Sequence, residues 1–201
     1  MNKIDTKIEP LVILGLDIDG IFHPEGCPPD AEWVHLQRFE DAIREVPAVR
    51  IVITSMWRHD HTLAELRSHF SADVAARIVG TTPDLFRPGL QYTRGLRQRE
   101  LEAWVAEHAP GARWLGLDDR AAYYDEDCET VLLVRHADDG GMGLQHEDLI
   151  ELVARLRAMV FEATASMTEA KKEATVPDAR AHSATDAAAT SAPSNTRCPR
   201  M

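Results

Sequence analysis

The stretch Leu11-Val12-Ile13-Leu14-Gly15-Leu16-Asp17-Ile18-Asp19-Gly20 decides how this chain is read. Its first six residues are apolar or small with no polar alternation, the pattern of a strand covered on both faces in a parallel sheet. Two carboxylates follow at its C-terminal end, where open α/β sheets bind their ligands. Gly20 then allows a sharp turn. An Asp-x-Asp pair alone also occurs in metal-dependent sugar transferases and in ordinary turns. Its company narrows the reading: Thr54 ends a second apolar run and Asp118-Asp119 end a third. Together they point to magnesium-dependent phosphoryl chemistry.

Outward from that strand, residues 22–29 contain His23, Pro24, Gly26, Pro28 and Pro29 and read as an irregular loop. Asp30 is placed to cap a helix with Trp33, Leu36, Phe39, Ile43 and Val46 on one face. A second strand is expected over 49–54, a helix from Thr62, and a short third strand over 76–80. A loop spans 81–92, and a helix over 94–108 buries Leu101, Trp104 and Val105. Strands over 113–118 and 130–134 and a helix over 146–160 complete the pattern. Strands alternating with helices argue for a parallel sheet wrapped on both faces. Beyond residue 160 Ala, Ser, Thr and Pro dominate, so the expected division is a folded domain over 1–160 and a disordered tail over 161–201.

The chain has 201 residues and a formal net charge of −11, which disfavours nonspecific attraction to nucleic acid or an anionic membrane without excluding either. The five acidic and five basic residues of 161–201 cancel, so this charge belongs to the folded body. Cys27, Cys128 and Cys198 have no CxxC spacing, which suits a reducing cytosol and disfavours a zinc site. Neither a signal peptide nor a membrane-length apolar run is found. The expectation is a cytoplasmic protein with no membrane partner.

A phosphomonoester hydrolase needs a nucleophile, a proton for the leaving oxygen, and positive charge on the phosphoryl group. Asp17 is the candidate nucleophile and Asp19 the candidate acid and base. Clustering Asp17, Asp19, Asp118 and Asp119 needs a cation, for which Mg²⁺ is the natural choice. Thr54 and Ser55 follow the second strand, where hydroxyls and backbone N–H groups can cradle phosphate; a plain helix cap is the simpler alternative. Arg58 is a further candidate for phosphate, or an exposed helix arginine. Opposite the metal a second cation is required, with Arg97 the first choice, Arg94 the second, and Arg99 nearby. His59-Asp60-His61 reads as surface, because residues two apart do not share a helix face. His23 is expected to line the entrance.

At these residues the chain resembles the haloacid-dehalogenase-like (HAD) superfamily. Asp17-Ile18-Asp19-Gly20 is similar to its first motif, Thr54 to its second, a basic residue near Arg97 to its third, and Asp118-Asp119 to its fourth. More narrowly, Thr54-Ser55-Met56-Trp57-Arg58, the run from Arg97 to Trp104, Leu117-Asp118-Asp119, Leu133-Val134-Arg135 and Gly143-Leu144 resemble the small HAD domain of Swiss Army Knife RNA-repair proteins. Gln145 departs from that group, where threonine is expected.

The resemblance implies a Rossmann-like three-layer α/β sandwich, five parallel strands in the order 5-4-1-2-3, Mg²⁺, an Asp17 nucleophile and an Asp19 acid/base. The short stretches between motifs leave the domain capless or with a minimal cap. An open site suits a phosphorylated substrate as large as a nucleic-acid end. Arg87, Arg94, Arg97 and Arg99 favour that partner and the acidic surface opposes it. The leading expectation is a phosphohydrolase acting on nucleotides or polynucleotide ends. The alternatives are a catalytically silent binding or regulatory module of the same fold and, lower, a phosphotransferase or sugar transferase.

Overall fold

A computed structural model describes residues 12–86 and 94–174. Leu11, Arg87 and the positions from 175 onward, including Cys198, lie outside the described residues. Five strands form one sheet: β1 (Val12–Leu16), β2 (Val49–Ile53), β3 (Ile78–Thr81), β4 (Arg113–Asp118) and β5 (Val131–Leu133). Every pairing is parallel and the order is β3-β2-β1-β4-β5, the expected 5-4-1-2-3 arrangement read from the opposite edge. The helices are α1 (Leu36–Arg44), α2 (Leu63–Ser68), α3 (Ala72–Ala75), α4 (Leu96–His108) and α5 (His146–Ala174).

Strand alternation divides the core in two. Val12, Leu14 and Leu16 of β1 face a large cluster with Phe39 and Ile43 of α1, Leu66 of α2 and Leu152 and Leu156 of α5. Ile13 and Val52 face the other way, onto Leu101, Trp104 and Val105 of α4. This makes an open three-layer sandwich of Rossmann-like form. Among the described residues no second domain rises over the C-terminal edge of the sheet.

Several elements differ from the sequence expectation. Asp30 caps no helix: Pro29–Ala31 is a single 3₁₀ turn and α1 starts only at Leu36. The prolines hold the chain in a loop until Trp33, which takes φ +62 and turns the chain before the helix begins. Second, α5 does not end near Val160 but continues to Ala174. Residues 161–174 hold four Ala, three Glu and two Lys, all strong helix formers, and Thr164, Ser166 and Thr168 each bond a carbonyl four residues back. Third, β3 begins two residues later and ends one later, and β5 is trimmed by one residue at each end.

Thr62 does begin α2, with a full capping box: its hydroxyl accepts from the Glu65 N–H, and the Glu65 carboxylate accepts from the Thr62 N–H. Arg77 closes the far end of the sheet. Its guanidinium donates to the carbonyls of Ile43 (2.8 Å), Val46 (2.7 Å) and Val49 (3.1 Å), and this charged donor ties the end of α1 and the turn after it to the start of β2. Arg77→Ala removes one charged hydrogen bond from each of the three, so a loss of about 2–4 kcal/mol is expected in a urea titration. A change within 0.5 kcal/mol would mean that water replaces the guanidinium.

Candidate active site

Sheet register builds the site. Leu16 pairs with Ile53 on one side and Leu117 on the other, so the next residues, Asp17, Thr54 and Asp118, arrive side by side at the C-terminal edge. Backbone bonds continue the ladder to that level: Asp17 N–H donates to the Leu117 carbonyl at 3.1 Å and Thr54 N–H to the Leu16 carbonyl at 2.9 Å. By alternation all three side chains project to the α4 face.

Gly15 and the first turns of α4 complete the arrangement. A Cβ at Gly15 would collide with Leu101 of α4, so its absence lets the helix settle against β1. Arg97 lies four residues before Leu101 on the same helical face and reaches the carboxylates directly. Its Nη1 donates to Asp17 Oδ2 and to Asp118 Oδ2, each at 2.6 Å. The Tyr123 ring lies 4.2 Å from the guanidinium carbon, a cation–π contact. Burial opposes the Arg97 charge, but Asp17 and Asp118 overcome that and hold its pKa well above the ordinary arginine value.

Arg97 is 2 % exposed, beside Asp17 at 4 %, Asp118 at 0 % and Asp119 at 6 %. The buried Arg97 guanidinium therefore bridges two of three clustered buried carboxyls. Asp118 is held by Arg97, by the Tyr124 hydroxyl (3.3 Å) and by the Arg120 N–H (2.9 Å). Burial still raises its pKa, aided by Asp17 and opposed by Arg97. Burial and then Asp17 push the Asp119 carboxyl up to about 6. Asp119 Oδ2 is buried with no hydrogen-bond partner among the described residues. Its neighbour His136 brings Nε2 to 3.7 Å, beyond hydrogen-bond range. Gly20 at φ +73 passes so close that a Cβ there would strike the Asp119 carboxylate.

Ligand oxygens of Asp17, Asp118 and Asp119 all lie within 4.8 Å of one another. Clustered hard oxygens, raised carboxyl pKa values and an orphaned Oδ2 fit a divalent cation of the Mg²⁺ class.

Asp19 stands apart from this cluster, contrary to the expectation of a fourth carboxylate ligand. Its side chain turns to the loop side, where His23 Nε2 lies 3.1 Å from Oδ1 and Trp57 Nε1 donates to Oδ2 at 2.9 Å. The His23 bond, with help from Trp57, keeps Asp19 below the ordinary aspartate value although burial works the other way.

The remaining candidates divide. Thr54 and Ser55 are fully buried. Ser55 caps the 3₁₀ turn Met56–His59, its Oγ accepting from Trp57 N–H at 3.5 Å, while Thr54 Oγ1 has no partner among the described residues. Arg58 is not an exposed helix arginine. It pairs with buried Glu100 of α4 at 2.7 Å and donates to the Thr54 and Ser55 carbonyls at 2.6 and 2.9 Å, which ties the β2 loop to α4. Arg94 is half-exposed and lies 3.6 Å from Glu126; Arg99 is exposed. Of the three arginines near the start of α4, Arg97 is the one that meets the carboxylates.

Tyr123, Tyr124, Glu100 and His136 escape the sequence reading. Two signals point to some of them: the tyrosines follow Asp118-Asp119 at the same sheet edge, and Glu100 lies one helical turn after Arg97.

Residues 13–149 match the family described as the HAD domain in Swiss Army Knife RNA repair proteins. This match spans more than half of the chain, and the chain belongs to that family. No curated protein and no solved structure matches it. HAD domains generally use Mg²⁺, and the Asp17, Asp118 and Asp119 cluster is compatible with such a metal site. Among the described residues no helix is long and apolar enough to cross a membrane.

Protons and a cation compete for Asp119. Its folded pKa of about 6 exceeds the ordinary 3.8, so the folded state takes up this proton first as pH falls. In metal-free protein its ionisation therefore costs stability above pH 6 and is relieved as pH falls through 6. A cation reverses the balance by favouring the ionised form. Mg²⁺ is thus expected to raise the melting temperature at about pH 7.5 and to raise it less at about pH 5.5. A melting temperature blind to Mg²⁺ at both values would contradict a cation site here.

Proposed function

We propose that this chain is a Mg²⁺-dependent phosphohydrolase of the HAD type that works through an aspartyl-phosphate on Asp17. The observation that carries this reading is the Arg97 guanidinium, held at 2.6 Å from both Asp17 and Asp118 at the open edge of the sheet. A buried cation fixed between a candidate nucleophile and candidate metal ligands suits phosphoryl transfer, in which negative charge must be neutralised from more than one side.

Asp17, Asp118 and Asp119 would hold the metal. A bound Mg²⁺ supplies positive charge that offsets repulsion between the Asp17 carboxylate and the phosphoryl oxygens. Asp17 attacks phosphorus, and as that O–P bond forms the bond to the leaving oxygen breaks. The leaving oxygen takes its electron pair and a proton from Asp19. Water then attacks phosphorus and gives a proton to Asp19, the Asp17–phosphate bond breaks, and inorganic phosphate leaves. His23 and Trp57 favour ionised Asp19, the form that accepts a proton from water. An anionic phosphoryl group arriving beside Asp19 opposes that charge and favours the protonated form needed for the first step. Thr54 Oγ1, buried without a partner among the described residues, is suited to donate to a phosphoryl oxygen.

The proposed substrates are phosphomonoesters of nucleotides or polynucleotide ends, with phosphorylated RNA ends first. Two observations support this choice: the RNA-repair context of the family, and the absence of a cap among the described residues, which leaves the edge open to a large substrate.

The test is phosphate release from p-nitrophenyl phosphate and from RNA oligonucleotides phosphorylated at the 3′ or 5′ end, with and without Mg²⁺. Expected is metal-dependent release that falls at least about 1,000-fold in Asp17→Asn. Asp19→Asn should slow turnover by about 100-fold or more. Undiminished release by Asp17→Asn would refute the covalent mechanism. Absence of release from every phosphomonoester by folded, Mg²⁺-loaded protein would favour a binding module.

A further inference from the structure

We propose that His23 and Trp57 are positioning residues that together fix the direction of the Asp19 carboxylate for its proton transfers. This rests on the phosphohydrolase reading above and adds to it the groups that orient its acid/base.

The argument starts from the two nitrogens of His23. The ring is buried at 2 % exposure, and each nitrogen has one neighbour. Trp33 N–H donates to Nδ1 at 3.2 Å, so Nδ1 must present a lone pair. Nε2 therefore carries the hydrogen and donates to Asp19 Oδ1 at 3.1 Å. The indole N–H of Trp57 can only donate, and it meets Oδ2 at 2.9 Å. Each carboxylate oxygen is thus held by a donor from a different loop, one after β1 and one after β2. Two donors on two oxygens fix the plane of the carboxylate as well as its place. Even so, the Asp19 side chain keeps 41 % exposure, so an incoming ester or water can reach it.

The surroundings hold both donors in place. Trp33 adopts φ +62, a conformation rare for a bulky side chain. Such strain persists only where neighbouring structure enforces it, and it often marks a functional constraint. Here the strained residue supplies the amide that selects the His23 tautomer. Its ring stacks on His69 at 4.2 Å and packs edge-on against Trp57 at 5.4 Å. The Trp57 ring also stacks on His61 at 5.1 Å. Gly20 N–H donates to the His23 carbonyl at 2.9 Å, closing the loop that carries Asp19 and His23 together. Both donors therefore belong to one interlocked aromatic cluster on the loop side of the site. Among the described residues neither His23 nor Trp57 makes a hydrogen bond or ion pair with Asp17, Arg97 or Asp118, so their effect on chemistry would pass through Asp19.

The test uses the full chain with Mg²⁺ and a phosphomonoester that the wild type hydrolyses. His23→Leu and Trp57→Phe, each checked for an intact thermal transition, should lower kcat about 10–100-fold and leave KM within about twofold. His23→Gln keeps a side-chain N–H donor at comparable reach and should recover most of the loss. In an Asp19→Asn background His23→Leu should cost nothing further, because its effect runs through the missing carboxylate. An equal loss in both backgrounds would overturn the assignment, as would a His23→Gln variant no better than His23→Leu. Should His23→Leu fail to fold, Trp57→Phe carries the same comparison.

A second measurement needs no turnover: ¹⁵N NMR of the histidine rings. A neutral His23 protonated at Nε2 supports the arrangement; the Nδ1-protonated tautomer overturns it. Failure of the wild type to hydrolyse any phosphomonoester would overturn the phosphohydrolase reading, and the tautomer would still report separately on the Asp19 geometry.

Discussion

The structure depends on one electrostatic constraint: three carboxyls share a buried corner in which the Arg97 guanidinium bridges only two of them. Parallel strands force the crowding, because β1 and β4 run in register and end at the same edge. Left alone, Asp17, Asp118 and Asp119 would repel one another at short range in a poorly polarisable setting. Arg97 relieves part of this and remains outnumbered. The rest falls to protons, seen in the raised pKa values of Asp118 and Asp119, or to a cation. A site of this kind has a strong physical reason to bind a divalent ion and an anionic substrate together.

Arg97 itself depends on the packing beneath it. Gly15 gives Leu101 room to close on the sheet, and Leu101 sets the height of the helical turn that carries Arg97. The buried Arg58–Glu100 pair fixes the same stretch of α4 to the loop after β2. Breaking either contact would move a guanidinium whose value lies in its placement. Removing one partner of Arg58–Glu100 would also leave a buried charge unpaired. The carboxylate–arginine side of the site is accordingly built on regular elements and paired charge. The Asp19 side is built on loops, aromatic contacts and hydrogen bonds to neutral donors.

Much of this was legible in the sequence because it rests on local pattern. Apolar runs mark β1, β2 and β4, and the residues that close them, Asp17, Thr54 and Asp118, meet because parallel register leaves them nowhere else to go. The parts that were not legible depend on contacts between distant segments. Nothing near Arg58 announces Glu100, forty-two positions away. Asp19 lies only two residues from Asp17, yet its side chain bonds His23 and Trp57 instead of joining that cluster. The late start of α1 follows from a single strained residue, Trp33, which no propensity scale foresees. The longer α5 reflects the opposite error: low apolar content suggests disorder, whereas alanine-rich helical propensity carries the helix on from a well-packed N-terminal half.

The central claim is that Asp17 receives a phosphoryl group while Asp17, Asp118 and Asp119 hold a cation beside it. A crystal structure of the protein grown with Mg²⁺ and beryllofluoride, a mimic of an aspartyl-phosphate, tests it most directly. The expected result is a beryllofluoride adduct on an Asp17 oxygen, with Mg²⁺ bound among the three carboxylates and Arg97 close to the adduct. Mg²⁺ bound elsewhere, or an Asp17 side chain left unmodified at saturating beryllofluoride with Arg97 still clamped across it, would contradict the account.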